Sequence, residues 1–325
     1  MAKKHTQILI IGQGLSGSWL SYYLQQLNID CIVIDDNETN TASKVASGII
    51  NPVTGLRYTK TWQIDEAMPF AVQAYQAFDC IEQIKMLELF ENYTAEAAFE
   101  KRIYEGYEYV KPHTTSWKHN FNYNLSIGEI NPCYLIDIKA IIRQQKNNTN
   151  TIEEKFDDTF LQIENNKIIY NYITADKIIF CDGISSIQNK YFTHLAFAPV
   201  KGEALIIECK DLSNQYIFKN KHSIVPWGNG LFWVGASFER EFKDKQPTDD
   251  FKTQTSQWLN KFLKLPYKII DHISSIRPAN TSRKPFAQLH PTQKNIGILN
   301  GMGSKGVLYA PYFAKQLANF IAKEV

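Results

Sequence analysis

An apolar run at residues 7–11 breaks at Gly12-Gln13-Gly14-Leu15-Ser16-Gly17 and resumes with a different period. Beyond the break, Leu15, Trp19, Tyr23 and Leu27 fall on one side of a helix, with Leu20 and Leu24 beside them. A second apolar run, residues 31–34, ends in Asp35 and Asp36. The order strand, glycine turn, helix, strand, acid constrains the chain more than any other feature. It predicts a parallel βαβ unit with a phosphate cradle at its first turn. Gly12 permits the tight turn, Gly14 lets the backbone approach a pyrophosphate, and Gly17 lets the helix pack close to the strand. Leu15 and Ser16 open a helix whose free N–H groups and positive dipole end favour phosphate. Asp35 lies 23 residues beyond Gly12, where a carboxylate accepts ribose hydroxyls, and Asp36 stands beside it. An acid there disfavours a 2′-phosphate, so FAD or NAD is expected rather than NADP.

The rest of the composition narrows the class. The chain has 325 residues, 44% of them hydrophobic, enough for one large domain or two ordinary ones. A net charge of +2 implies no strongly basic face, so a nucleic-acid partner is not expected. Five cysteines without a CxxC pair read as reduced, packed thiols. The first seven residues are polar and lead into a strand, unlike a secretion signal. The longest apolar runs fall short of the ~18 residues of a membrane span. The expectation is a soluble cytoplasmic protein. There is no GxSxG or HExxH, and seven histidines are scattered, so neither a hydrolase triad nor a metal centre is expected.

Further segments carry a resemblance. "TASKVASGIINPVTG" (41–55), "PCYLIDIKAIIRQQ" (132–145), "ADKIIFCDGISS" (175–186), "APVKGEALIIE" (198–208), "VPWGNGLFWVGASFER" (225–240), "SSIRPANTSRKPFAQLHP" (274–291) and "LNGMGSKGVLYAPYFAKQLANFI" (299–321) follow one another in order. Together they resemble the D-amino-acid oxidase/glycine oxidase (DAO) family of flavoenzymes over most of the chain, with a gap at 56–131. The resemblance implies an α/β protein: a Rossmann-like FAD-binding domain with an α+β substrate domain built on a mainly antiparallel sheet. It assigns residues 1–70, 132–196 and 275–325 to the FAD-binding domain, and 71–131 and 197–274 to the substrate domain. Helices are expected at 65–84 and after a Thr248 cap, and a Gly-Asn-Gly turn closes a hairpin at 225–240.

The resemblance also assigns roles. Ser43, Ala46, Ser47 and Gly48 lie along the FAD, and Gly183 passes it a second time. Gly301, Gly303, Ser304, Lys305 and Gly306 form the loop and helix entry beneath the flavin ring. Arg277, of the Arg-Pro pair, grips a substrate carboxylate. Lys305 either adds positive charge near the flavin or faces solvent. Tyr58, Trp62, Tyr134, Trp227 and Trp233 are aromatic candidates for the pocket wall, each equally able to be core. The implied enzyme is an FAD-dependent oxidoreductase, with the cofactor held non-covalently. It moves hydride from the α-carbon of a small amine or amino acid to flavin N5, giving an imine. Alternatives are a flavoprotein of the same fold acting on a hydroxy acid or in tRNA modification, and a non-catalytic dinucleotide-binding protein. The chain departs from the family in two places. Thr281-Ser282-Arg283-Lys284-Pro285 lacks the usual Asp-Gly, and Cys181-Asp182-Gly183 places an acid in the glycine element.

Overall fold

The structure, a computed structural model, describes residues 4–324. Residues 1–3 of the polar start lie outside the described residues.

The first sheet is built around the strand Lys4–Ile11, which begins three residues earlier than the apolar run alone suggests. That strand pairs in parallel with Cys31–Asp35 on one side and Ile173–Phe180 on the other. Asn150–Glu153 extends the sheet beyond Cys31–Asp35, and Ile296–Asn300 joins Ile173–Phe180, both in parallel. Antiparallel strands Leu161–Glu164, Lys167–Tyr170 and Phe286–Leu289 complete it. The unbroken apolar sequence of the central strand follows from burial on both faces. Ile8 and Ile10 pack under the helices Leu15–Gln26 and Gly306–Ile321, while Leu9 and Ile11 pack with Tyr170, Phe180 and Phe192 on the far side. Trp19 is fully buried on the helix side against Tyr75 and Phe78. Truncating so large a side chain to alanine costs about 3–5 kcal/mol.

The second sheet has nine strands. Its path runs Lys268–Arg277, Val200–Glu208, Leu231–Gly235, Ser223–Gly228, Tyr216–Lys219, Ile81–Leu89, Ile127–Ile136 and Ile49–Ile50, with Val110–His113 on Ile127–Ile136. Only Tyr216–Lys219 with Ile81–Leu89 is parallel. Side chains alternate between two cores, as strand geometry requires. Leu205, Ile207, Phe218 and Phe232 pack beneath the helix Asp249–Phe262. Ala204, Ile206, Ile217, Val225 and Trp233 face the first sheet's helices. Ile49–Ile50 and residues 133–136 and 275–277 lie in this sheet, although the sequence grouped them with the nucleotide-binding segments.

The expected cap is present: Thr248 Oγ1 accepts the Phe251 N–H at 3.3 Å. Gly228, Asn229 and Gly230 all have positive φ and close the hairpin between Ser223–Gly228 and Leu231–Gly235. Residues 65–84 are not one helix. The helix Ile64–Gln76 ends in a turn with Asp79 at φ 52°, and Ile81–Leu89 is a strand. The helical period holds only as far as Gln76. Beyond it, pairing with Ile127–Ile136 overrides the local pattern. Among the described residues, no helix is long and apolar enough to cross a membrane.

Candidate active site

The glycine turn sits where the first sheet's strands end. Gly12 has φ 92°, and a Cβ there would lie 2.7 Å from the Cys181 carbonyl oxygen. A Cβ on Gly17 would lie 1.9 Å from the Gly12 carbonyl oxygen, so the helix approaches the strand as closely as backbone allows. Asp35 is fixed by the same turn: Oδ2 accepts the Gln13 N–H at 2.6 Å and Oδ1 the Asn37 N–H at 2.8 Å. Thr41 caps the short helix Ala42–Val45, which carries Ser43 back to the turn. There Ser43 Oγ accepts the Leu15 N–H at 3.1 Å.

A cavity of about 530 Å³ runs from this cradle to the face of the second sheet. That volume lies in the range of small-molecule and cofactor sites. Gly12, Gly14, Leu15, Ser16, Asp35, Asp36, Ser43, Ala46, Ser47 and Gly48 line one part of it. Gly183, Gly303, Ser304, Lys305, Gly306 and Arg277 line the rest. Gly17 and Gly301 are not in its wall. Gly17 serves helix packing, and Gly301 holds a turn at φ 75°, its carbonyl accepting from Asn280 Nδ2 at 2.6 Å.

Asp182 does line the cavity, and the Ser186 hydroxyl donates to its carboxylate. Burial pushes its carboxyl up to about 6, and the Ser186 hydrogen bond works against that rise. Asn300 Nδ2 donates to Gly183 O and Ser186 Oγ, each at 2.9 Å, which ties this turn to the end of the Ile296–Asn300 strand.

Two half-buried cations stand in the wall without an acidic partner among the described residues. Arg277 ends the strand Lys268–Arg277, and its Nη1 donates to the Ser237 carbonyl at 3.3 Å. Burial alone lowers its pKa, and no carboxylate offsets that. Lys305 does not face solvent. Its Nζ turns inward and donates to Asn51 O at 3.3 Å and Thr61 Oγ1 at 3.4 Å. Burial, aided by repulsion from Lys219, brings its pKa down to about 8, with Cys133 acting the other way.

The structure adds residues that the sequence did not single out, among them Asn51, Thr54, Met86, Lys219 and Ser223. Most lie in or pair with the stretch 56–131, where no motif was legible. Lys219 bonds the buried Glu88 at 2.7 Å and sits over the Tyr58 ring at 5.5 Å. Of the aromatic candidates, Trp233 lines the cavity and its Nε1–H donates to Val45 O at 3.1 Å. Tyr58 is core beside Phe99, and Trp62 stacks on Phe313. Tyr134 and Trp227 are outside the wall.

These features fit a flavin dinucleotide. One end offers an acid, a bare glycine turn and a helix N-terminus for the adenosine and phosphates. The other end offers uncompensated cations beside a sheet of small and apolar residues. Residues 143–320 match the family model of the DAO type, FAD dependent oxidoreductase. A curated relative, the bifunctional protein of tRNA 5-methylaminomethyl-2-thiouridine biosynthesis from Idiomarina loihiensis, is 23% identical over 154 residues. That match covers 45% of this chain and spans 25% of the relative's length. Three solved structures share the fold. Iminodiacetate oxidase from a Chelativorans species superposes with a TM-score of 0.80 at 18% identity, over 97% of this chain and 95% of its own. Glycine oxidase from Bacillus cereus gives 0.80 at 17% identity, over 98% and 96%. L-Proline dehydrogenase from P. horikoshii gives 0.77 at 15% identity, over 100% and 95%. With the family model covering more than half of the residues, the chain belongs to the DAO family of FAD-dependent oxidoreductases, and FAD is its cofactor.

Proposed function

We propose that this protein oxidises a small amine or amino acid that carries a carboxylate. The substrate loses hydrogen from the carbon beside its nitrogen and leaves as an imine. The observation that carries this reading is Arg277, a half-buried cation in the cavity wall with no carboxylate of its own among the described residues. A planar guanidinium left free for a ligand favours a planar two-oxygen anion. The similar proteins named above include an iminodiacetate oxidase, a glycine oxidase and a proline dehydrogenase, whose names describe amines bearing carboxylates.

Bound FAD supplies the hydride acceptor. The chain's residues do the rest. Gly12, Gly14 and the amides of the first helical turn after Leu15, whose own N–H donates to Ser43, would hold the phosphates, and Asp35 would hold the ribose. Arg277 holds the carboxylate, which orients the reacting carbon. Lys305 would place positive charge beside a bound flavin, where it would favour the reduced form. Under this proposal residues 1–70, 132–196 and 275–325 chiefly serve the cofactor and 71–131 and 197–274 the substrate, with Arg277 reaching from the first set to the substrate.

The test is a spectrum. The purified yellow protein is mixed without oxygen with amino acids, their N-alkylated forms and the corresponding hydroxy acids. Bleaching of the flavin band by an amine is the expected result. Bleaching by hydroxy acids alone would replace the amine reading with the hydroxy-acid one.

A further inference from the structure

We propose that Gly202 and Ser237 form a socket that sets the Arg277 guanidinium, and that this socket makes the cavity selective for a carboxylate. The inference rests on Arg277 being the anchor. Gly202 lies in the strand Val200–Glu208 and pairs with Ser275, and two residues before it Val200 pairs with Arg277. Alternate residues of a strand share a face, so Gly202 presents its Cα to the side from which Arg277 projects. A Cβ on Gly202 would lie 2.0 Å from Arg277 Nη2, 2.4 Å from Cζ and 2.7 Å from Nη1. All three nearest atoms belong to the guanidinium, which therefore occupies the space that any other residue would fill. The backbone at Gly202 is not left-handed, so conformation alone does not require glycine there. The arginine does.

Ser237 closes the socket. Its carbonyl accepts Arg277 Nη1–H. That carbonyl is itself clamped to the residue after Gly202: the Ser237 N–H donates to Glu203 O at 3.1 Å, and Ser237 Oγ accepts the Glu203 N–H at 3.0 Å. The nearby carboxylate is committed elsewhere. Glu203 is fully buried, with Oε1 3.1 Å from Lys201 Nζ, Oε2 2.9 Å from His272 Nε2, and Oε2 accepting the Thr248 N–H at 2.7 Å. The guanidinium is thus held on one side by backbone and left unneutralised on the other. Arg277 lines the cavity, and Gly202 lies beneath its guanidinium. A fixed fork loses less freedom on binding a carboxylate than a swinging one, so the socket converts a flexible cation into a carboxylate site.

Acetate, titrated into the FAD-bound protein and followed through the flavin absorbance band, reads this site without knowledge of the substrate. Gly202→Ala is expected to raise the acetate dissociation constant about tenfold or more, approaching the loss caused by Arg277→Met, because it displaces the same charge-assisted contact. FAD affinity and the unfolding midpoint should stay close to native, since the clash falls on a flexible side-chain end. Ser237→Ala, which loosens the clamp without touching Arg277, should give a smaller loss of roughly threefold to tenfold. With an amine that bleaches the flavin, both variants should raise KM for the carboxylated form and leave KM for its decarboxylated analogue unchanged. A purely structural role would move both substrates and the stability together. Should Arg277→Met abolish acetate binding while Gly202→Ala and Ser237→Ala bind it as the native protein does, the socket is overturned and the anchor stands. Should Arg277→Met leave acetate binding unchanged, or native protein bind no acetate, the anchor fails and the socket with it.

Discussion

Ser43 Oγ accepts the Leu15 N–H at 3.1 Å, so a hydroxyl from the short helix Ala42–Val45, 28 residues away, caps the helix that follows the glycine turn. The contact brings the second element of the cofactor cradle onto the first. A dinucleotide phosphate at this turn would meet a hydroxyl already in place to donate to it. Hydrogen bonds to charged groups contribute about 1.5–3 kcal/mol, so Ser43→Ala should weaken FAD binding roughly tenfold or more. Titration of flavin-free protein with FAD measures it. Tighter binding in the variant would show that Ser43 competes with the phosphate instead of assisting it.

Gly17 makes the closest backbone approach of the three turn glycines. A methyl group there would stand 1.9 Å from the Gly12 carbonyl oxygen, and both are backbone held by the Lys4–Ile11 strand and its helix. Gly17→Ala should therefore destabilise the protein by about 1–3 kcal/mol or more and release FAD at lower temperature. Thermal unfolding followed by flavin fluorescence checks it. An unchanged midpoint would mean that the helix can slide outward along its packing against Gly306–Ile321.

The cradle was legible because it is local. Gly12, Gly14, Gly17 and Asp35 encode a turn, a close approach and an acid within one βαβ unit, while the space beside Gly12, closed by the Cys181 carbonyl, and that beside Gly14, near Ser43, depend on residues outside it. Arg277 and Lys305 were legible as positions in a family pattern, but their surroundings were not. That Lys305 turns in toward Asn51 and Thr61 depends on two elements more than 240 residues away. Gly202 carried no signal of its own purpose, since nothing in "VKGEAL" shows that an arginine 75 residues later will fill the space above it. The stretch 65–84 misled for the opposite reason. Its helical period is real as far as Gln76, and only pairing with a strand some 50 residues further on makes the remainder extended.

Asp182 is expected to make FAD affinity depend on pH. Its carboxyl is raised from an ordinary 3.8 to about 6 by burial. Between those values the folded protein keeps a proton that the unfolded chain has lost, so this group's contribution to stability falls as pH rises through about 6. Above that pH a buried negative charge shares the cavity with the phosphates of FAD. Native protein should bind FAD more weakly at pH 7 than at pH 5, and Asp182→Asn should flatten the dependence and tighten binding at pH 7. Parallel FAD titrations across that range decide the matter. Identical slopes in the two proteins would place the carboxylate out of reach of the phosphates.

Lys305 acts with the opposite sign. Its ammonium is lowered from 10.5 to about 8, because burial and the Lys219 charge both penalise the protonated form. Below about pH 8 the folded flavin-free protein bears the full cost of a buried cation. Between about 8 and 10.5 the unfolded chain holds the proton more tightly than the folded one, so stability from this group rises with pH. Lys305→Met removes the titrating charge. It should therefore make flavin-free protein more stable at pH 7 and abolish its rise in stability above pH 8. Flavin reduction should respond the other way, because a positive charge that costs the flavin-free protein stability would favour an anionic reduced ring. The native rate of reduction should decline as pH rises past the Lys305 titration, and the variant should be slow at every pH. A variant that reduces its flavin as fast as native protein, with the same pH profile, would confine Lys305 to a packing role beside Asn51 and Thr61.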